Sequence, residues 1–136
     1  MKKICHIVNL IDGKADGVFN HLMMIFRNYD RTQFEHFIIF QGGEFVEDKL
    51  SSINIRYYVV ESLKSKFSLK SFKEIRLIIK DENPAILHTH LIKSYIIAGI
   101  INVIYNRRFI FNFHGSFIQN DYNNWIEKLL YLIAHR

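Results

Sequence analysis

Histidines end two of the apolar runs of this 136-residue chain, His88-Thr89-His90 in one run and His114-Gly115-Ser116 in the next. Imidazole is suited to proton transfer near neutral pH and to hydrogen bonds with phosphate or hydroxyl groups. Gly115 leaves the backbone beside His114 uncovered, an arrangement that recurs in binding crevices. We therefore predict a ligand site at these residues. The alternatives are a His88 satisfied inside the core and a His114 that caps a turn.

A second candidate is the loop Asp12-Gly13-Lys14-Ala15-Asp16-Gly17, which precedes an amphipathic segment. Gly17 permits close approach of a ligand to the backbone, and the helix that follows offers free N–H groups and a partial positive charge to an anion. The glycine spacing of a dinucleotide fingerprint and the Gly-Lys-Ser/Thr of a P-loop are both missing. The loop predicts phosphate contact, with an ordinary flexible turn as the alternative.

The histidines could also bind zinc, but His88 and His90 point the same way only if their strand continues to Leu91. We predict no metal site. The remaining histidines of interest, His6, His36 and His135, have no partner that the sequence identifies, and we interpret them as structural.

Most of the net charge of +5 is local. We define the basic stripe as Lys70, Lys73, Arg76 and Lys80, which fall on one side of a predicted helix. A basic stripe on an otherwise neutral domain favours an anionic surface, and it predicts peripheral contact with the inner face of a membrane. The alternative is a solvated helix face that keeps the domain soluble.

The strands and helices that position these residues are predicted from the spacing of apolar residues along the chain. Short apolar runs alternate with longer amphipathic segments, which is typical of βαβ units around a parallel sheet. The predicted strands are Lys3–Leu10, Phe34–Gln41, Ile55–Val60, Ala85–Thr89 and Phe109–Phe113. The predicted helices begin after Gly17 and cover Glu44–Ser51, Leu69–Glu82, His90–Tyr105 and Trp125–Arg136. We expect His90–Tyr105, apolar almost all round, to be the most buried helix.

The predicted fold class is α/β, a Rossmann-like, doubly wound parallel sheet of about five strands with helices on both faces. Such sheets bind ligands outside the carboxyl ends of their strands. The fourth and fifth strands are expected to be neighbours, so that His88, His90 and His114 gather at one edge.

Composition excludes several classes of protein. An apolar content of 49% argues against disorder, and the lone Cys5 lies in an apolar run that predicts a buried thiol. The most apolar window, Leu91–Tyr105, carries Lys93 and is about five residues short of a bilayer span. The basic stripe lacks a nucleic-acid reading motif, so no nucleic-acid partner is expected. We predict a cytoplasmic protein.

Three segments together resemble the N-terminal domain of glycosyltransferase family 4, the retaining enzymes of the two-domain GT-B architecture. They are Asp16-Gly17-Val18-Phe19-Asn20-His21-Leu22, Pro84-Ala85-Ile86-Leu87-His88-Thr89-His90 and His114-Gly115. Asp16 stands where the family has the first glycine of a pair. Ala85 stands where the family has Asp.

The resemblance implies that residues 1–136 form one acceptor-side domain, and that a donor-binding C-terminal domain, absent from this chain, binds a UDP- or GDP-linked sugar. It further implies a sugar or lipid-linked sugar acceptor, transfer with retention, a role in bacterial polysaccharide or lipid-linked glycan synthesis, and no cofactor on this domain. His114 would face the transferred sugar as the catalytic residue. The implied acceptor- or phosphate-binding residues are Asp16, Gly17, His90, Gly115 and Ser116. Alone, the domain would be inactive.

Two other functions stay open. One is a non-catalytic subunit that docks to a separate donor-binding chain. The other is a freestanding nucleotide- or phosphate-binding regulator, for which several acidic residues at neighbouring strand ends would be expected. Only Asp12 and Asp16 approach such a position.

Overall fold

The computed structural model of the chain describes residues 1–11, 13–65 and 68–112. The predictions for the following parts of the chain therefore lie outside the described residues: Asp12 of the first loop, the end of the fifth strand at Phe113, the His114-Gly115-Ser116 segment, the helix Trp125–Arg136 and, within it, His135.

Five strands and four α-helices alternate along the described chain. The strands are β1 Lys2–Val8, β2 Phe34–Phe40, β3 Arg56–Val59, β4 Ile86–His90 and β5 Arg108–Asn112. The helices are α1 Gly17–Asn28, α2 Glu44–Ser52, α3 Leu69–Glu82 and α4 Ile92–Tyr105. A short 3-10 helix, Glu61–Lys64, lies between β3 and α3.

The five strands form one parallel sheet in the order β3-β2-β1-β4-β5. This order confirms the predicted Rossmann-like fold, and the pairing of β4 with β5 confirms that these strands are neighbours. After β1 the chain builds outward through β2 and β3, then returns to place β4 on the other side of β1. The topological switch point, where sheets of this type bind their ligands, therefore lies between the carboxyl ends of β1 and β4.

Each face of the sheet buries its own apolar core because the side chains of a strand alternate between the two faces. One core joins Cys5, Ile7 and Leu87 to α3 and α4, and the other joins Val8, Ile38 and Phe40 to α1 and α2. Cys5 is fully buried, as predicted, and burial raises the pKa of its thiol well above the usual value. α4 has more buried residues than any other described helix, which confirms the prediction for it.

The junction between β4 and α4 differs from the prediction. β4 continues through His90, and α4 begins at Ile92 instead of His90. Between them Leu91 has φ 72° and ψ 154°, a conformation that costs a non-glycine residue about 1–3 kcal/mol. Its carbonyl oxygen is held by the backbone N–H of Tyr95 at 3.1 Å and by the Ser94 hydroxyl at 3.0 Å. Because the turn comes at Leu91, His90 is the last residue of β4, and its side chain is buried.

At the opposite edge of the sheet, Glu82 joins the end of α3 to two strands. Its carboxylate accepts hydrogen bonds from Lys3 Nζ at 2.9 Å, from Arg56 Nη2 at 2.8 Å and from the Tyr58 hydroxyl. Burial raises the pKa of Glu82, but the hydrogen bonds from Tyr58 and Lys3 and the nearby positive charges outweigh it and hold that pKa below its usual value. The ionised carboxylate thus stabilises the fold away from the ligand edge.

We expect Glu82→Gln to lower the free energy of unfolding at pH 7 by about 1–3 kcal/mol, because the hydrogen bonds it weakens are charge-assisted. A carboxyl with a depressed folded-state pKa contributes stability above its unfolded pKa and loses it as the pH falls through the folded pKa. Urea unfolding between pH 7 and pH 3 should therefore show a smaller acid loss in the variant than in the native chain. Equal stability of the two proteins at pH 7 would contradict the assignment.

Candidate functional site

Five histidines, which we call the histidine cluster, lie together on the α1 side of the sheet. His6 is on β1, His36 on β2, His88 and His90 on β4, and His21 on α1. His6 lies opposite His88 in the register between β1 and β4, and His90 follows two residues later, so all three share one face. His36 lies opposite Ile4, two residues before His6, and therefore joins the same face.

His6 is the centre of the histidine cluster. Its Nδ1 is 3.3 Å from Nε2 of His90, and its Nε2 is 2.8 Å from Nδ1 of His36. Its ring also lies 4.9 Å from the ring of His88, centroid to centroid. Because a neutral imidazole has one N–H donor and one acceptor nitrogen, His6 donates to one neighbour and accepts from the other.

Burial keeps the centre of this cluster uncharged. It lowers the pKa of His6 well below the usual value, and the neighbouring His88, His36, His90 and His21 lower it further. Burial also lowers the pKa of His36 to about 4. Both rings are therefore neutral at physiological pH. In this form one nitrogen of each ring can accept a hydrogen bond.

Polar groups continue from the cluster toward the carboxyl edge of the sheet. The Asn112 amide at the end of β5 donates a hydrogen bond to Nε2 of His21 at 3.2 Å. The Asn9 side-chain oxygen, just after β1, accepts from the backbone N–H of Ser94 at 3.3 Å. These contacts tie α1 to the end of β5 and α4 to the end of β1.

The α1 N-terminus stands beside this edge and is partly occupied by its own cap. The Asp16 carboxylate accepts a hydrogen bond from the backbone N–H of Phe19 at 2.9 Å, which satisfies one of the free donors of the first turn. Gly17 is exposed, and a methyl group added to it would meet nothing within 4 Å. Open space thus lies directly over the first residue of α1.

A groove of about 300 Å³ runs between α1 and α2. Its lining combines three cations with apolar side chains: Lys14, Phe19, Asn20, Met23, Met24, Arg27, Asn28, Phe45 and Lys49. The ammonium groups of Lys14 and Lys49 lie 5.6 Å and 5.9 Å from the centre of the Phe45 ring. A surface of this composition suits a ligand that is both anionic and apolar.

The structure places the predicted site residues in three different settings. His90 is fully buried within the histidine cluster, Gly17 is open to solvent, and Asp16 is used as a helix cap. The predicted roles of these residues in binding stay predictions, as do those of His114, Gly115 and Ser116 outside the described residues. Sequence reasoning missed the partners of His6 and His36. The available signal was a histidine within each of two apolar strands, His6 in β1 and His36 in β2.

A parallel sheet of this order, with polar groups gathered at its switch point, defines a Rossmann-like ligand-binding domain. The model of Glycosyltransferase Family 4 matches residues 15–136, and the chain belongs to that family. No curated protein matches the chain by sequence.

Three solved structures with low sequence identity to this chain share its fold. HepE from Anabaena, in complex with UDP-glucose, aligns with a TM-score of 0.70 at 13% identity, over 100% of this chain and 35% of HepE. A glycosyltransferase from Rickettsia africae aligns with a TM-score of 0.62 at 21% identity, over 93% and 34%. A UDP-GlcNAc 2-epimerase from Neisseria meningitidis, bound to UDP-GlcNAc, gives 0.58 at 11%, over 97% and 38%. The chain thus has the fold of an N-terminal GT-B domain and spans about a third of each protein.

Proposed function

We propose that this chain is the acceptor-binding N-terminal domain of a retaining glycosyltransferase that uses a nucleotide sugar. Membership of Glycosyltransferase Family 4 over residues 15–136 carries the proposal. The donor would be a UDP- or GDP-linked sugar bound mainly by a second domain. HepE, which shares the fold, was solved with UDP-glucose.

The surface at the N-terminus of α1 is better suited to an acceptor sugar than to the diphosphate of a donor. Asp16 brings a carboxylate to the α1 N-terminus, where it would repel a donor phosphate. Open space over Gly17 leaves room for a hydroxyl-bearing sugar, and the groove between α1 and α2 offers cations beside apolar side chains. Together these features favour a lipid-linked sugar acceptor of the kind used in bacterial polysaccharide synthesis.

Gly17→Ala tests the acceptor side directly. In a longer protein that contains this domain, we expect the acceptor KM to rise about tenfold, the effect of losing roughly 1.4 kcal/mol of binding, while the donor KM stays constant. The added methyl group meets no protein atom within 4 Å, so the fold should not be harmed.

Steady-state kinetics with each substrate varied in turn makes this measurement. Ser51→Ala, an exposed change on α2 outside the groove, is the control and should leave both KM values unchanged. A Gly17→Ala enzyme whose donor KM rises while its acceptor KM does not would overturn the acceptor assignment.

We also propose that the basic stripe contacts an anionic membrane. Lys70, Lys73, Arg76 and Lys80 are all exposed on α3, and Leu69 and Leu77 on the same helix are 90% and 48% exposed. No helix among the described residues is long and apolar enough to cross a bilayer. Surface attachment would hold the domain near a lipid-linked acceptor.

Vesicle co-sedimentation measures this attachment. Near an anionic surface each cation contributes up to about 1 kcal/mol, so replacing Lys73, Arg76 and Lys80 by Gln should weaken binding to anionic vesicles by up to about 100-fold. Neutralising Lys2, Arg31 and Arg108, which are exposed and lie outside both the basic stripe and the groove, is the control with equal charge loss and should matter less. Equal binding to neutral and anionic vesicles, or none to either, would contradict the proposal.

A further inference from the structure

Three members of the histidine cluster come close enough to share one ligand. One ring nitrogen from each of His6, His88 and His90 lies within 4.8 Å of the other two. The strands bring them together, since His6 is opposite His88 in the β1–β4 register and His90 follows on the same face. The three residues therefore join β1 to β4, the two strands that flank the switch point.

Two of these nitrogens already have the spacing that a tetrahedral metal ion requires. Zinc lies about 2.0–2.1 Å from a histidine nitrogen, which puts two tetrahedral ligands roughly 3.3–3.4 Å apart. His6 Nδ1 and His90 Nε2 are 3.3 Å apart. His88 is only partly buried, and a rotation of its side chain would close the remaining gap in the metal-bound protein.

A fourth histidine holds His6 in the form that binds metal. A ligating histidine usually donates its second ring N–H to a neighbouring acceptor, which fixes the tautomer and the ring orientation. His6 Nε2 lies 2.8 Å from Nδ1 of His36, and the His36 ring is in turn packed against Tyr29 at 4.2 Å between centroids. In the tautomer whose Nε2 donates to His36, Nδ1 of His6 carries a lone pair, and that lone pair would bind the ion in place of its contact with His90.

We propose that His6, His88 and His90 bind one divalent transition-metal ion of the zinc type. His36 is the positioning residue that orients His6. Imidazole nitrogen is a preferred ligand of zinc, and three histidines leave a fourth coordination position to water. The ion would tie β1 to β4 directly below the ligand edge of the sheet. This site is separate from the proposed acceptor contacts at Gly17, so either proposal can fail alone.

The test is metal titration of the purified, untagged protein after chelator treatment. Isothermal titration with Zn²⁺ should show one ion per chain, and Co²⁺ should give the intense visible absorption of a four-coordinate ion instead of the pale octahedral spectrum. Zinc should also raise the melting temperature, because an ion that binds only the native state stabilises it.

Variants locate the ion. His88→Gln, at the most exposed of the three ligands, should lower the affinity at least about 100-fold, and His36→Gln, which removes only the orienting partner, should lower it about 10–100-fold. His21→Gln is the matched control because His21 lies outside the group of three and should keep the native affinity.

If hydrogen bonds alone hold the histidine cluster, the metal titrations give the opposite results. No stoichiometric zinc binding by the native protein, an octahedral cobalt spectrum, or a zinc affinity unchanged in a folded His88→Gln protein would each overturn the proposal. The first two measurements use the native protein and therefore stand even if the variants do not fold.

Discussion

His114→Ala is expected to lower kcat by about 10²–10³ in an enzyme that contains this domain, while its melting temperature changes little. β5 ends at Asn112, at the carboxyl edge of the sheet, and His114 follows two residues later in the sequence. The family resemblance assigns to this His-Gly pair the position that faces the transferred sugar. An imidazole there can donate a hydrogen bond as charge develops on a sugar or phosphate oxygen, and the loss of one such donor has an effect of this size.

His36→Ala is the contrasting variant, and its effect should fall on stability instead. His36 is buried, contacts Tyr29 and lies 2.8 Å from His6, so its removal leaves a cavity and a buried nitrogen without its partner. We expect a loss of about 2–4 kcal/mol in the free energy of unfolding.

Turnover numbers per folded enzyme and thermal melts, taken for both variants, separate the two roles. If His114→Ala keeps full kcat, or loses kcat only in proportion to its stability, His114 is not the catalytic residue of this domain.

The architecture could be predicted from the sequence because it depends on local patterns. The apolar runs around Ile7, Phe37 and Leu87 are continuous, as expected for strands covered on both faces, and each is followed by a segment of helical period. Crossover handedness then leaves few ways to arrange parallel strands, which is why the doubly wound sheet and the β4–β5 pairing could also be predicted.

The histidine cluster could not be predicted because it depends on register. His6 and His36 are 30 residues apart, and only the pairing of β1 with β2 brings their nitrogens to 2.8 Å. A shift of one residue in either strand would turn one ring to the opposite face, where it would meet the other core. Hydrophobic pattern locates a strand but does not fix this pairing.

The end of β4 was the other difference, and its cause is a backbone conformation. Leucine rarely adopts the positive φ seen at Leu91, so nothing in its residue type signals a turn there. Since strained residues cluster at functional sites, the turn itself is a further reason to look for function at the switch point. His90 is buried beside His6, whereas the sequence predicted it as the first residue of a helix and as a ligand-binding residue.

The proposed function requires that two domains share the work of catalysis, and a transferase assay of the 136-residue chain alone tests this requirement. The purified chain would be incubated with labelled UDP- and GDP-linked sugars and with lipid-phosphate acceptors, beside a longer protein that contains it and a heat-killed control. We expect no turnover by the chain and transfer by the longer protein, because the donor would be bound by residues that this domain lacks. Turnover by the chain above the heat-killed control would contradict the account.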